Sequence, residues 1–222
     1  MRPTGWDVLD LDSDPTPGDP WQIRSLVRSA TAMAEDAAKA HSAVRSLASD
    51  GAVLAWVGLA GEVFQGAIDD FPVQLGKLRD SYDQAADALD LWASQLDGVQ
   101  GTADRALEQG RQAQAEIDAL SAQLATARSA ASNAAAASDR LDDQPEGGQP
   151  PTPDQLRAAT RNLQAAQGQV GALTSSLSGA QSQLDAAKRM ARQARELRIS
   201  TARTVKHKLH DASDAGIAPK SR

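Results

Sequence analysis

The sequence predicts an all-α protein: elongated antiparallel helical hairpins, a coiled-coil bundle with a Trp-x-Gly turn at one bend. Three observations carry this. Apolar residues recur at alternating spacings of three and four along almost the whole chain. The apolar content is mostly alanine, with only 3% aromatic residues, a composition that suits thin helix-on-helix packing better than a thick mixed core. The breaks between periodic runs are short and rich in Pro, Gly and Asp. Five segments follow: an acidic extended N-terminal segment at 1–19, a helical hairpin with one long second helix at 20–141, a Pro/Gly linker at 142–152, an antiparallel return helix at 153–216 and a tail at 217–222.

The first helix announces its own start. Asp19 is a capping residue, Pro20 suits the first helical position and Gln22 stands where a capping box wants it. Ile23, Leu26, Ala30, Met33, Ala37, Ala40, Val44 and Leu47 then form an apolar seam. Asp50-Gly51 is expected to end it, with glycine as the left-handed terminating residue.

After a turn at Trp56-Val57-Gly58 the same period resumes at Phe64, Ile68, Phe71, Leu75, Leu78 and Tyr82 and holds to Ala134. Gly110 is the one member of that seam without an apolar side chain. The period passes Gly98 and Gly101 without slipping, so one continuous helix is predicted despite about 1 kcal/mol lost at each glycine. Pro72 removes a backbone donor, which makes Asp70-Phe71-Pro72 the expected kink or short break.

At 1.5 Å per residue the length beyond Pro72 approaches roughly 100 Å. The linker closes with Thr152-Pro153-Asp154-Gln155, a second capping box, and the seam Leu156, Ala159, Leu163, Ala166, Val170, Leu173, Leu177, Ala180, Leu184, Ala187, Ala191, Ala194 follows. A fold near residue 147 places position i beside about 294 minus i. A first fold near 55 places Ile23 beside about residue 87, so three helices are expected to meet only around 80–90.

Several chemistries are excluded or disfavoured by residue type. The chain has no cysteine, so it has no disulfide, no thiolate zinc site and no thiol nucleophile. His207 and His210 with Asp211 and Asp214 fall on nearly one helix face, but an HxxH pair in a basic terminal helix reads first as solvated surface, so no metal is assigned. His41 reads as a half-buried packing residue. Catalysis needs a nucleophile, a base and an orienting group gathered in a concavity, which two-stranded hairpins do not offer; the expectation is no enzyme and no cofactor.

Net charge is −6 yet unevenly spread: Glu62–Asp97 holds eight acids and two bases, Ala186–His210 eight bases and one acid. In the antiparallel register the basic run lies beside Asp87, Asp90, Asp97 and Asp104, which partly match it. No aromatic residue interleaves with the bases, so nucleic acid is not expected as a partner. The longest apolar run, Ala52–Ala60, is nine residues against about twenty for a spanning helix, so no transmembrane segment is expected. The acidic first twenty residues lack the apolar core of a cleavable signal peptide.

Helix, Trp-x-Gly turn, helix is the plan of the WXG-type proteins exported by type VII secretion systems, and Trp56, Gly58 and then Phe64 stand at the spacing of that motif. The stretches "GWDVLDLDSDPTPGDP", "IDDFPVQLGKLRDSYDQAADALDLWASQL" and "TARTVKHKLHDASDAGI" resemble the N-terminal type VII secretion signal domain of actinobacterial polymorphic toxins. The resemblance implies a non-enzymatic secretion-targeting or carrier module, synthesised in the cytoplasm and secreted without a cleavable signal peptide. It implies as partners small WXG-like helical proteins and the secretion machinery, with Trp56, Gly58 and Phe64 as partner-binding residues on the first hairpin.

In that family an effector follows such a domain; none is written before Arg222, so a carrier and not a complete toxin is expected. One departure concerns the Tyr-x-x-x-Asp/Glu tail signal of many such substrates, since Tyr82 is followed at that distance by Ala86. The alternatives are an intracellular coiled-coil scaffold or spacer in which Trp56 only covers the hairpin end, and a membrane or nucleic-acid binder using the basic helix. A homo-oligomer is a further association that the sequence leaves open.

Overall fold

A computed structural model of the chain describes residues 2–51, 59–143 and 150–216. Among them there is a short 3-10 helix at Trp6–Leu9 and three α-helices: α1 (Pro20–Ala48), α2 (Leu59–Asp142) and α3 (Pro153–Ala215). No strand occurs among the described residues. The protein is all-α, as its periodicity predicts.

The helix starts are built as the sequence reads. Asp19 is extended (φ −123°, ψ 101°) and its carboxylate accepts from the backbone N–H groups of Trp21 and Gln22, two of the donors an α-helix start leaves unpaired. At α3 the box is reciprocal: Gln155 N–H donates to Thr152 Oγ1 at 3.3 Å and Thr152 N–H donates to Gln155 Oε1 at 2.8 Å.

The end of α1 differs from expectation. Gly51 does not supply a left-handed residue; α1 stops at Ala48, with Ser49 (φ −96°, ψ 1°) returning its N–H to the carbonyls of the last turn. A right-handed final turn closed by Ser49 satisfies those carbonyls, and no positive φ is needed. α2 passes Gly98 and Gly101 as the one continuous helix predicted, and of the kink or short break expected at Pro72 no break occurs.

Clustering of the backbone separates two compact units, 1–15 with 103–192 and 16–102 with 193–222. In the first unit α2 and α3 run antiparallel, with Gln109 and Gln112 facing Gln183 and Ala186 across one groove. The residue numbers of each facing pair total about 294, the predicted register. Ala106, Ala113, Ala127, Ala180, Ala187 and Ala191 are all buried along this seam. Small side chains let two helix backbones approach closely, so the interface is thin but dense.

In the second unit the same register continues: Ser81 Oγ donates to the Ala212 carbonyl at 2.7 Å, and Asp87 shares a groove with Lys208. α1 packs on α2 in a register that the sequence misplaces. Arg24 pairs with Asp97, and His41, Arg45 and Ala48 share a groove with Pro72, Val73 and Gly76. Arg24 therefore meets Asp97 where the hairpin arithmetic puts residue 23 near 87. The paired ends are Ala48 and Val73, so α2, which starts at Leu59, runs past the end of α1. That shift widens the stretch of α2 flanked by both other helices well beyond 80–90.

The seam of α1 is also rotated. Its inward positions are Ile23, Val27, Ala30, Ala34, Ala37, His41, Val44 and Ala48, while Leu26, Met33 and Leu47 stand 57, 46 and 44% exposed. Both series keep the three-four alternation. The one with more alanine lets α1 approach α2 closely. No helix of the described residues is long and apolar enough to cross a membrane.

Leu120 and Leu173 fall opposite one another in the α2–α3 register and are both half-buried. Leu173→Asp is expected to cost at least about 2 kcal/mol and to lower the Tm clearly, measured by circular dichroism; an unchanged Tm for both Leu173→Asp and Leu120→Asp contradicts the pairing. Limited proteolysis is expected to cleave between Asp143 and Pro151 before any site between Asp97 and Thr102, where the helix is continuous.

Candidate functional site

Two of the sequence-predicted site residues, Trp56 and Gly58, lie outside the described residues. Phe64 falls within α2, and its side chain lies outside the described set as well. The adjoining ground is described. At that end of the second unit His41, Arg45 and Ala48 of α1, its closing residue Ser49, and Pro72, Val73 and Gly76 of α2 line an open groove of about 510 Å³. Phe71 continues the seam of Leu75 and Leu78, yet it is 53% exposed, and Val63 and Val73 are 68 and 58% exposed.

A second arrangement was missed by the sequence reading. Residues 2–15, expected as an extended acidic lead, fold onto α2 and α3 within the first unit. Trp6, Leu9 and Leu11 are buried, Leu9 completely. The Trp6–Leu9 turn ends at Asp10, held left-handed (φ 57°), whose N–H donates to the Asp7 carbonyl. Trp6 Nε1 donates to the Pro3 carbonyl at 2.9 Å, which satisfies the indole inside its buried site.

Leu9 enters where the α2 seam lacks a side chain: a methyl group at Gly110 would overlap Leu9 Cδ2 and lie 3.8 Å from Ala187 Cβ. The glycine is a notch, and that gap in an otherwise apolar seam was the available signal.

Charges complete the attachment. Arg2 donates to both oxygens of Asp14 and to Asp104 at 2.8 Å, and Lys188 pairs with Asp10 at 2.8 Å. Arg111 donates to the Thr4 carbonyl. Burial works against the Arg2 cation, but its hydrogen bonds and charge contacts with Asp14 and Asp104 outweigh that and raise its pKa above the ordinary arginine value. Arg2 is therefore a fixed charge at every working pH.

In the second unit the chain continues through Thr16, Pro17 and Gly18. Buried Gln100 donates to the Thr16 carbonyl at 2.9 Å and the Gly18 carbonyl at 3.0 Å, and Arg198 donates to the Pro17 carbonyl. Gly18 sits at φ 139° with Leu96 Cδ2 2.8 Å from where a Cβ would stand, so a side chain is excluded there on two counts.

These contacts correct the charge pairing read from the sequence at Asp97 and Asp104, while Asp87 does share its groove with Lys208 of the basic run. Asp97 is taken by Arg24 and Asp104 by Arg2, while the basic run contributes Lys188 and Arg198 to the N-terminal segment instead. His210 stands 3.6 Å from Asp214 on the exposed face of α3. Among the described residues no three metal-ligating side chains gather.

The helical hairpins, the Pro/Gly linker and the first part of the return helix together match one family model. The family is described as "Putative T7SS secretion signal domain", and the match covers residues 12–177. The chain belongs to this family. No curated protein and no solved structure matches it. Within the signal domain's match fall α1, α2 and α3 as far as Leu177; Trp6, Leu9 and the basic run of α3 stand outside it.

Gln100 anchors two carbonyls that α-helices do not serve. Gln100→Leu is expected to destabilise the signal domain by about 1–3 kcal/mol, the cost of leaving buried acceptors unpaired, read as a lower midpoint in urea. A variant as stable as wild type would mean that water replaces the amide.

Proposed function

We propose that the chain is a non-enzymatic targeting module that carries itself, and any effector joined to or accompanying it, to a type VII secretion machine while paired with a small helical partner. The observation that carries this reading is the family match over 12–177, which spans both helices of the first hairpin and the Trp56-Val57-Gly58 segment between them. Exposed Phe71, on the seam of Leu75 and Leu78, supports the pairing, because another amphipathic helix laid there removes apolar surface from water at about 25 cal/mol per Å².

What supports a non-enzymatic role is the kind of surface on offer between the antiparallel α2 and α3: open grooves lined by Gln, Ala, Asp and Lys. Trp56 acts in this reading as the anchor that the partner or machine recognises, since indole buries a large rigid surface at low entropic cost.

The test pairs export with stability. Trp56→Ala is expected to abolish appearance in the culture supernatant of a bacterium with a type VII system, with a loss of roughly 1–3 kcal/mol at most. Trp92→Ala, at a half-buried position in the middle of α2, is expected to lower the Tm and leave export of the folded fraction intact. Phe71→Glu with Val73→Glu is expected to reduce export without lowering the Tm. Normal secretion of folded Trp56→Ala protein would move the assignment to an intracellular helical scaffold.

A further inference from the structure

We propose that the face of α2 and α3 around Gly110 and Ala187 is a peptide-binding groove, filled by the chain's own residues 2–15 and able to take in their place a separate acidic peptide with the same Trp-x-x-Leu-x-Leu pattern. The occupant belongs to neither helix. It is attached by side chains at defined points: Trp6 at 4% exposure, Leu9 at 0% and Leu11 at 8%. Its one regular element is a four-residue 3-10 turn, which is too short to hold its shape alone, so the groove supplies the order.

The receiving side is built for that pattern. Gly110 leaves a notch of leucine size in a seam where every other position carries a side chain, and Ala187 of α3 forms its far wall. Two cations of the helices flank it. Lys188, only 18% exposed, meets Asp10, and Arg111 donates to the Thr4 carbonyl. Basic groove edges select an acidic peptide and oppose a basic one. The peptide brings one cation of its own, Arg2, which reaches Asp104 on α2 while held by Asp14 within the segment. Asp104 Oδ1 is buried without a hydrogen-bond partner, so this carboxylate depends on the occupant's guanidinium.

Tethering sets the consequence. A segment of the same chain, held next to its groove, competes at an effective concentration on the order of millimolar, so the intact chain keeps the site closed to weak peptides and opens it only to better-matched or abundant ones. The site is independent of the export reading: it shares no residue with the Trp56 hairpin end, and its test does not use secretion.

The experiment measures binding of a fluorescein-labelled peptide, residues 2–15 of this sequence, to the full-length chain by anisotropy. The chain carrying Trp6→Ala and Leu9→Ala is expected to bind it at least tenfold more tightly than wild type, because its own segment no longer competes. Adding Gly110→Leu is expected to abolish that binding, and the labelled peptide with Leu9→Ala is expected not to bind. Equal affinity for wild type and the double variant, or binding that ignores Gly110→Leu, overturns the proposal.

A second measurement uses the wild-type chain, in case the double variant does not fold. Millimolar unlabelled peptide is expected to speed hydrogen exchange at the amides of residues 6–11, while the Leu9→Ala peptide leaves it unchanged. Exchange that neither peptide alters overturns the proposal equally.

Discussion

Close approach of helix backbones across alanine is the constraint on which the rest of this molecule depends. Ala103, Ala106, Ala113, Ala127, Ala180, Ala187, Ala191 and Ala194 are buried almost completely. A pair of helices held by alanine buries little area per residue, so stability accumulates through length, and an 84-residue α2 against a 63-residue α3 is what that requires. Thin seams also carry little tolerance. A missing methyl leaves a notch, as at Gly110, and the chain uses that notch to hold its N-terminal segment.

The same constraint explains which side of α1 faces inward. Leu26, Met33 and Leu47 look like the stronger core candidates by hydrophobicity, but Ala30, Ala34 and Ala37 are the buried ones. Larger side chains would hold α1 away from α2 and uncouple contacts such as Arg24 with Asp97. Leucine displaced to the flank still covers surface there, so the exchange favours dense packing over maximal burial of any one residue.

Much of this architecture was legible in the residues. The α2–α3 register follows from the position of one Pro/Gly linker and a helix that does not slip, and Ser81 meets Ala212 as that arithmetic requires. Both helix starts were written in Asp19 and Thr152. The α1–α2 register was not legible, because a 29-residue helix whose apolar positions alternate by three and four offers a partner more than one register.

At the hairpin end the sequence supplies a motif, Trp56 to Phe64, and the described residues supply an uncovered seam beside it. The N-terminal segment escaped notice because Trp6, Leu9 and Leu11 follow no regular period. Their partners, Gly110 and Lys188, lie 101 and 178 positions away from Leu9 and Asp10.

That last separation has a consequence for how the chain is made. The wall opposite Leu9 is Ala187, so the N-terminus has no place to rest until most of the polypeptide has left the ribosome. At about 5–20 residues per second that wait is roughly 10–40 s. Over that time Asp7, Asp10, Asp12 and Asp14 set charge among Trp6, Leu9 and Leu11, the kind of flanking that opposes association of an exposed apolar segment. The acids that look like a solubilising leader in the sequence thus serve during synthesis, and two of them, Asp10 and Asp14, become fastenings once the helices have closed.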